Sequence, residues 1–197
     1  TYGTGYTEHL TNMSRDVHSV LAMNGDSYCY NRQHTAGVLI RNGTLYRAEP
    51  TTSDVCILYK NGEMKTYSPD QSDLQQAMQD GAYQSWTFGP NLLDAQGKAL
   101  KSFNTWDYIR KAHPRSAIGY YKPGHYCFVV VDGRQTGYSK GMTLPELAQV
   151  FENLGCSAAY NLDGGHSTFM TMGDQVVNHP YKSSHEIVDG LYFGEVQ

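Results

Sequence analysis

Thr143-Leu144-Pro145-Glu146-Leu147-Ala148-Gln149-Val150-Phe151-Glu152-Asn153-Leu154-Gly155, followed by Ala158-Ala159-Tyr160-Asn161-Leu162, is the stretch from which the fold is read. Thr143 and Glu146 form a capping box, in which each side chain satisfies a backbone donor left open at the helix start. Pro145 suits the first turn and Gly155 the position just past the end. Leu144, Leu147, Phe151 and Leu154 fall on one helical face. A strand over 158–162 follows. Before the helix, Ser116–Tyr121 and Tyr126–Val131 pair across Lys122-Pro123-Gly124-His125, and Cys127–Val131 is the longest strongly apolar run. Strand, helix, strand in that order allows one right-handed crossover, so part of a sheet is expected to be parallel.

Outward from this core, turn dipeptides mark antiparallel hairpins. Val38–Ile40 and Leu45–Tyr46 flank Asn42-Gly43, and Val55–Tyr59 and Met64–Tyr67 flank Asn61-Gly62. Thr168–Met172 and Gln175–Asn178 flank Gly173-Asp174. Thr7 to about Arg15 reads as a short capped helix, Ser19–Met23 and Ala82–Phe88 as strands, and Ser72 as the cap of a helix running to Met78. No linker or internal repeat divides the chain. The expectation is an α+β fold: one domain over residues 1–197 with a mixed, mostly antiparallel twisted sheet or sheets flanked by helices.

Composition narrows the partners. With 40% hydrophobic residues and a net charge of −4, the chain is not disordered. Fifteen Lys and Arg against 19 Asp and Glu leave no basic excess, so nucleic acid is not an expected partner. No run approaches the roughly 18–20 apolar residues of a membrane span. The four cysteines, Cys29, Cys56, Cys127 and Cys156, lack C-x-x-C spacing and read as buried free thiols. The eight histidines show no metal-ligand spacing, so no metal and no organic cofactor are expected. His113, set before a proline, and His166, in a glycine loop, stand apart from the rest.

Four polar clusters end strands: Asn24-Gly25-Asp26, His113-Pro114-Arg115, Asp132-Gly133-Arg134 and Asn161-Leu162-Asp163-Gly164-Gly165. Singly, each reads more readily as a tight turn than as a site. The last is too long and too glycine-rich for a two-residue turn, and its Gly164-Gly165-His166-Ser167-Thr168 run offers backbone donors. Together the clusters supply groups for a substrate with an anionic group beside a hydroxyl-rich body. Arg115 or Arg134 would hold a phosphate, and Asn24 and Asn161 sugar hydroxyls. Asp26, Asp132 and Asp163 are the candidates for acid, base or nucleophile. An ion pair to one of these aspartates is an equal reading for Arg115, and turn chemistry the stronger one for Asp132.

The same clusters carry a family resemblance. His113-Pro114-Arg115-Ser116-Ala117-Ile118-Gly119 is similar to the H-P-R-T-A-[IV]-G segment of the phosphodiester glycosidase domain. So are Val130-Val131-Asp132-Gly133-Arg134-Gln135, Gly141-Met142-Thr143-Leu144-Pro145-Glu146-Leu147-Ala148 and Asn161-Leu162-Asp163-Gly164-Gly165-His166-Ser167-Thr168. Ala22-Met23-Asn24-Gly25-Asp26-Ser27-Tyr28 and Phe88-Gly89-Pro90 extend the likeness upstream. The resemblance implies hydrolysis of a sugar-1-phosphodiester at the anomeric carbon, without a cofactor, in a bacterial, exported or cell-surface, exopolysaccharide-related setting. It implies that Arg115 and the Gly164-Gly165 amides neutralise the phosphate, and that Asp163, ahead of Asp132 and Asp26, faces C1. His166 stands where the family segment reads a third glycine, which puts an imidazole at the sugar or the phosphate. Family domains begin with strands that would precede Thr1, so this domain is expected to lack them and to associate with them as a separate chain or with a second copy. Two other readings stay open: hydrolysis or transglycosylation of a polysaccharide without phosphate, and a non-catalytic glycan-binding module.

Overall fold

The computed structural model describes residues 7–27, 36–71 and 73–194. In chain order the elements begin with α1 (Leu10–Asp16), β1 (Leu21–Asn24), β2 (Gly37–Arg41) and β3 (Thr44–Glu49). They continue with β4 (Val55–Tyr59), β5 (Met64–Tyr67), α2 (Leu74–Gln79), β6 (Ala82–Trp86) and α3 (Asp107–Arg110). The last are β7 (Arg115–Lys122), β8 (His125–Val131), α4 (Leu144–Asn153), β9 (Ala158–Asn161), β10 (Met170–Met172), β11 (Gln175–Val176) and β12 (Gly190–Phe193). They form small sheets in the orders β11-β10-β1-β12, β2-β3, β5-β4-β6 and β8-β7-β9. The result is an α+β fold with helices against antiparallel sheets. Among the described residues no helix is long and apolar enough to cross a membrane.

All the pairs among the described residues are antiparallel, including β7 with both β8 and β9. The crossover through α4 therefore joins two co-directional strands, but β9 takes the far edge of β7 and does not pair with β8. β7 is covered on both faces, which explains its nearly continuous burial. On one face Ala117 meets Leu144, Leu147 and Phe151 of α4 together with Leu92 and Phe103. On the other, Ile118 and Tyr120 join Met23, Cys56, Met64, Trp86 and Tyr160. Gly119 makes the α4 packing possible, because a Cβ there would lie 2.6 Å from Phe151 Cδ1.

Local chemistry explains most of the boundaries. The Thr143–Glu146 capping box forms, with Pro145 in the first turn. Leu154 departs from the expected buried face: the helix ends at Asn153, and Leu154 becomes its C-cap, 46% exposed. Asn42 and Gly43 both take positive φ (52° and 76°), as a tight β2–β3 hairpin requires. α2 is capped by the Asp73 side chain, which accepts from the Gln76 amide; Ser72, the expected cap, lies outside the described residues. Thr7 does not cap α1 either; its hydroxyl donates to Glu186, and the N-cap His9 contributes no side-chain bond. Cys56 and Cys156 are buried thiols and Cys127 is half-buried, whereas Cys29 lies outside the described residues.

Candidate active site

The β8-β7-β9 topology places three of the four polar clusters at one end of a sheet. β8 and β9 both run against β7, so their last residues lie beside its first, with Val131 opposite Arg115 and Asn161 opposite Ala117. The clusters then lock together through backbone contacts. The Gly165 amide donates to the Pro114 carbonyl at 3.0 Å. The Asp163 amide donates to the Gly25 carbonyl at 3.1 Å, and Asn24 Nδ2 to the Asp163 carbonyl at 2.6 Å, which brings in the end of β1. The Arg134 guanidinium lies over Gly165 (φ 65°), where a Cβ would come within 3.1 Å of its nitrogens. All four clusters converge.

The carboxylates within this convergence differ in their surroundings. Burial pushes Asp163 up to about 6, against hydrogen bonds from Ser167 and the Gly164 amide and the charge of Arg134; the charge of Asp26 adds to the rise. Asp26 is buried and accepts from the Ser27 and Thr87 amides at 2.8 and 2.6 Å. Its own amide donates to Asp189 Oδ2 at 2.9 Å, and Arg41 Nη2 reaches the same oxygen at 2.9 Å. Burial raises the Asp189 carboxyl, and Arg41 opposes that. Sequence reasoning missed Asp189 and Arg41, although Asp189-Gly190 repeats the dipeptide of the chosen clusters. Asp132 is instead saturated: its carboxylate accepts from Tyr138 Oη, Asn178 Nδ2 and the His179 amide at 2.9–3.1 Å. It ties two loops together.

The two arginines also divide their tasks. Arg115 is 3% exposed and donates Nε to the Met142 carbonyl, and Nη2 to the carbonyls of Ile109 and Lys111, at 2.5–2.9 Å. It forms no ion pair among the described residues, contrary to one expectation for it. Burial, and then the nearby Arg134, lower its guanidinium to about 10. Arg134 is half-buried, at φ 57°, with no acidic partner among the described residues. Its Nη2 donates to Tyr108 Oη at 3.0 Å and to His113 Nδ1 at 3.3 Å. Because a guanidinium can only donate, His113 accepts at Nδ1 and donates from Nε2 to the Tyr108 carbonyl at 2.8 Å. Burial lowers its pKa, in keeping with the neutral ring.

The remaining expected binders fall into two groups. The Gly164 and Gly165 amides are already engaged, by Asp163 Oδ1 and the Pro114 carbonyl, so they are not open phosphate donors. Asn24 and Asn161 are buried; Asn24 accepts from Ser116 and the Phe169 amide, and Asn161 Nδ2 donates to the Gly89 carbonyl at 2.8 Å. Asn161 Oδ1 and the buried Thr168 hydroxyl have no partner among the described residues. Ser167 serves Asp163. His166 is at the surface of the site, stacked on Tyr181 at 5.2 Å and edge-on to His185 at 5.6 Å. Tyr181, also 5.9 Å from the Arg134 guanidinium, was not anticipated. Beside this centre a cavity of about 660 Å³ is bordered by Asp26, Thr87, Phe103 and Trp106. Among the described residues no three His, Cys, Asp or Glu side chains cluster as metal ligands would.

Comparison with known proteins bears on the same residues. The model of the phosphodiester glycosidase family matches residues 18–194, and the chain belongs to that family. It is 30% identical over 181 residues to the SPbeta prophage-derived uncharacterized protein YomE of Bacillus subtilis (strain 168), with 90% of this chain aligned. The chain spans only 28% of that relative's length. Its fold is that of the catalytic domain of zebrafish N-acetylglucosamine-1-phosphodiester alpha-N-acetylglucosaminidase, auto-inhibited by its pro-peptide (TM-score 0.78, 21% identity, 97% of this chain and 68% of that one). A hypothetical protein from Synechocystis is also similar (TM-score 0.61, 15% identity, 95% of this chain and 54% of that one).

Proposed function

We propose that this member of the phosphodiester glycosidase family hydrolyses a sugar-1-phosphodiester, with Arg134 holding the phosphate and Asp163 facing the anomeric carbon. The observation that carries the reading is the pairing of opposites over one glycine loop: a guanidinium without a carboxylate partner among the described residues, and a desolvated carboxyl held near 6. An arginine is always charged, and its open fork suits a phosphate bidentately. Arg115 deepens the positive field from below but spends two of its nitrogens on carbonyls. It therefore positions the α3–β7 connection, and Arg134 takes the phosphate role first expected of it.

A departing phosphomonoester needs its charge neutralised more than it needs a strong proton donor. The C1–O bond breaks with its electron pair going to the phosphate oxygen, beside Arg134. Above pH about 6 Asp163 is ionised and stabilises the oxocarbenium-like centre, as nucleophile or as base for the incoming water. Asn24 fixes the Asp163 carbonyl, and Ser167 and the Gly164 amide orient its carboxylate. Neutral His113 keeps the Arg134 fork in place without adding charge.

The test is release of free sugar from a synthetic N-acetylglucosamine-1-phosphodiester, compared with a neutral glycoside of the same sugar. The wild type is expected to turn over the phosphodiester, and Arg134→Ala to lose that activity selectively. Equal loss on both substrates would overturn the phosphate role. No sugar release from either by the wild type would overturn the hydrolytic reading.

A further inference from the structure

Asp26 belongs to two places at once. Its charge reaches Asp163, and its side chain borders the 660 Å³ cavity that the proposed reaction does not use. That volume falls within the roughly 300–1,000 Å³ of cavities that bury small ligands. α3 is the shared wall. Tyr108 points its hydroxyl at Arg134, while Trp106, just before the helix, stands at the cavity, 55% exposed. The lining is rich in neutral hydroxyl and amide groups, among them Thr51, Ser53 and Asn104. Its Arg110 is occupied, donating to Asp107 at 3.1 Å and to the Phe103 carbonyl at 2.9 Å. An exposed indole among neutral hydrogen-bonding groups suits the apolar face and hydroxyl rim of a sugar ring.

We infer that this cavity receives a neutral glycan chain carried beyond the phosphate, with Trp106 stacking on one of its rings. The substrate class is thereby narrowed to a sugar-1-phosphodiester linked to an oligosaccharide. This extends the proposed function and rests on it for the link to hydrolysis, whereas glycan binding can be measured alone. Trp86 is buried and Trp106 exposed, so intrinsic fluorescence on titration reports Trp106. Tetrasaccharides of N-acetylglucosamine, glucose and mannose are titrated in turn into the full chain. At least one is expected to give a saturable spectral shift that Trp106→Phe removes, and calorimetry is expected to show binding about tenfold weaker in Trp106→Ala. Absence of saturable binding by all three at millimolar concentration would overturn the inference. On oligosaccharyl and methyl phosphodiesters of the same sugar, Trp106→Ala should raise KM for the first only; an equal rise would overturn it too. Tetrasaccharide binding without turnover of either diester would instead sink the proposed reaction and leave the cavity's role standing.

A separate observation concerns the crossover. Cys127 of β8 and Cys156, just after α4, bring their sulfurs to 3.6 Å across β7. Gly119 on β7 leaves the room, since a Cβ there would lie 2.7 Å from Cys127 Sγ. The geometry points to a Cys127–Cys156 disulfide in oxidising surroundings, tying the two ends of the crossover. The hydrogen bond with Cys156 lowers the Cys127 thiol to about 7, which favours its thiolate as the attacking sulfur. With oxidised glutathione as oxidant, the Cys127 thiolate displaces one glutathione thiolate. Cys156 then displaces the second, leaving one protein disulfide, two reduced glutathiones and two electrons passed from protein to oxidant. Intact mass is expected to fall by two hydrogens on equilibration and Tm to rise, both reversed by dithiothreitol, absent in Cys156→Ser and retained in Cys56→Ser. Continued alkylation of both thiols, or mixed glutathione adducts as the only products, would overturn the assignment.

Discussion

Two loops leave the strands that flank β7, and both open with Asp-Gly. After β8, Asp132 is met by the Tyr138 hydroxyl, the Asn178 amide and the His179 backbone, and the loop is knitted to its neighbour. After β9, Asp163 is sunk in a site where burial outweighs the hydrogen bonds it receives, so its carboxyl rises to about 6. One dipeptide at one end of one sheet thus yields a fastened turn in the first case and a poised acid–base group in the second. The number of donors and the exclusion of water make the difference. The arginines divide similarly: Arg115 is consumed by three carbonyls, while Arg134 keeps room for an anion.

The sharpest way to break this contrast is to neutralise each aspartate in turn. Asp163→Asn is expected to lower kcat/KM for a sugar-1-phosphodiester by about 10²–10⁴-fold, the usual contribution of an acid–base group. The same change should raise Tm at pH 8. A carboxyl whose folded pKa is raised contributes stability below its unfolded value and loses it as pH rises through about 6. Asp132→Asn should do the reverse, keeping kcat/KM within about tenfold while destabilising the fold by about 1–3 kcal/mol. Equal catalytic losses would erase the distinction. Next in size is the arginine pair. Arg134→Ala is expected to raise KM for the diester about 10²-fold, in line with losing a charged partner, and Arg134→Lys to recover part of it. Arg115→Ala should show chiefly in a lowered Tm, read by thermal unfolding. Smallest is Thr143→Ala at the α4 cap, which should cost about 1 kcal/mol and leave KM and kcat unchanged. A catalytic defect there would mean that the helix, and not only the loops, tunes the site.

Much of this frame was legible in the sequence because its signals are local. Asn42-Gly43, Asn61-Gly62 and the Thr143–Glu146 box specify their turns and cap within a few residues. The meeting of the clusters was legible too, since polar loops at strand ends need only a shared sheet end to converge. What failed to show depends on partners far along the chain. Arg115 and Arg134 read alike until the carbonyls of Ile109, Lys111 and Met142 close on one of them. Asp189 reaches Asp26 across more than 160 residues, and Tyr181 and His185 meet His166 from a segment with no motif. The glycine amides looked open because nothing in Gly164-Gly165 announces that Pro114 would accept one of them. Leu154 matched the helical period, but the helix stopped before it.

The central claim is that Asp163 works as a carboxylate set near 6 by burial, and the pH dependence of kcat/KM tests it most directly. A phosphodiester does not titrate in this range, and kcat/KM reports groups of the free enzyme. The expected profile for the wild type on a sugar-1-phosphodiester falls with decreasing pH through about 6 and is level above it. A flat profile, or the same limb surviving in the residual activity of Asp163→Asn, would contradict the account.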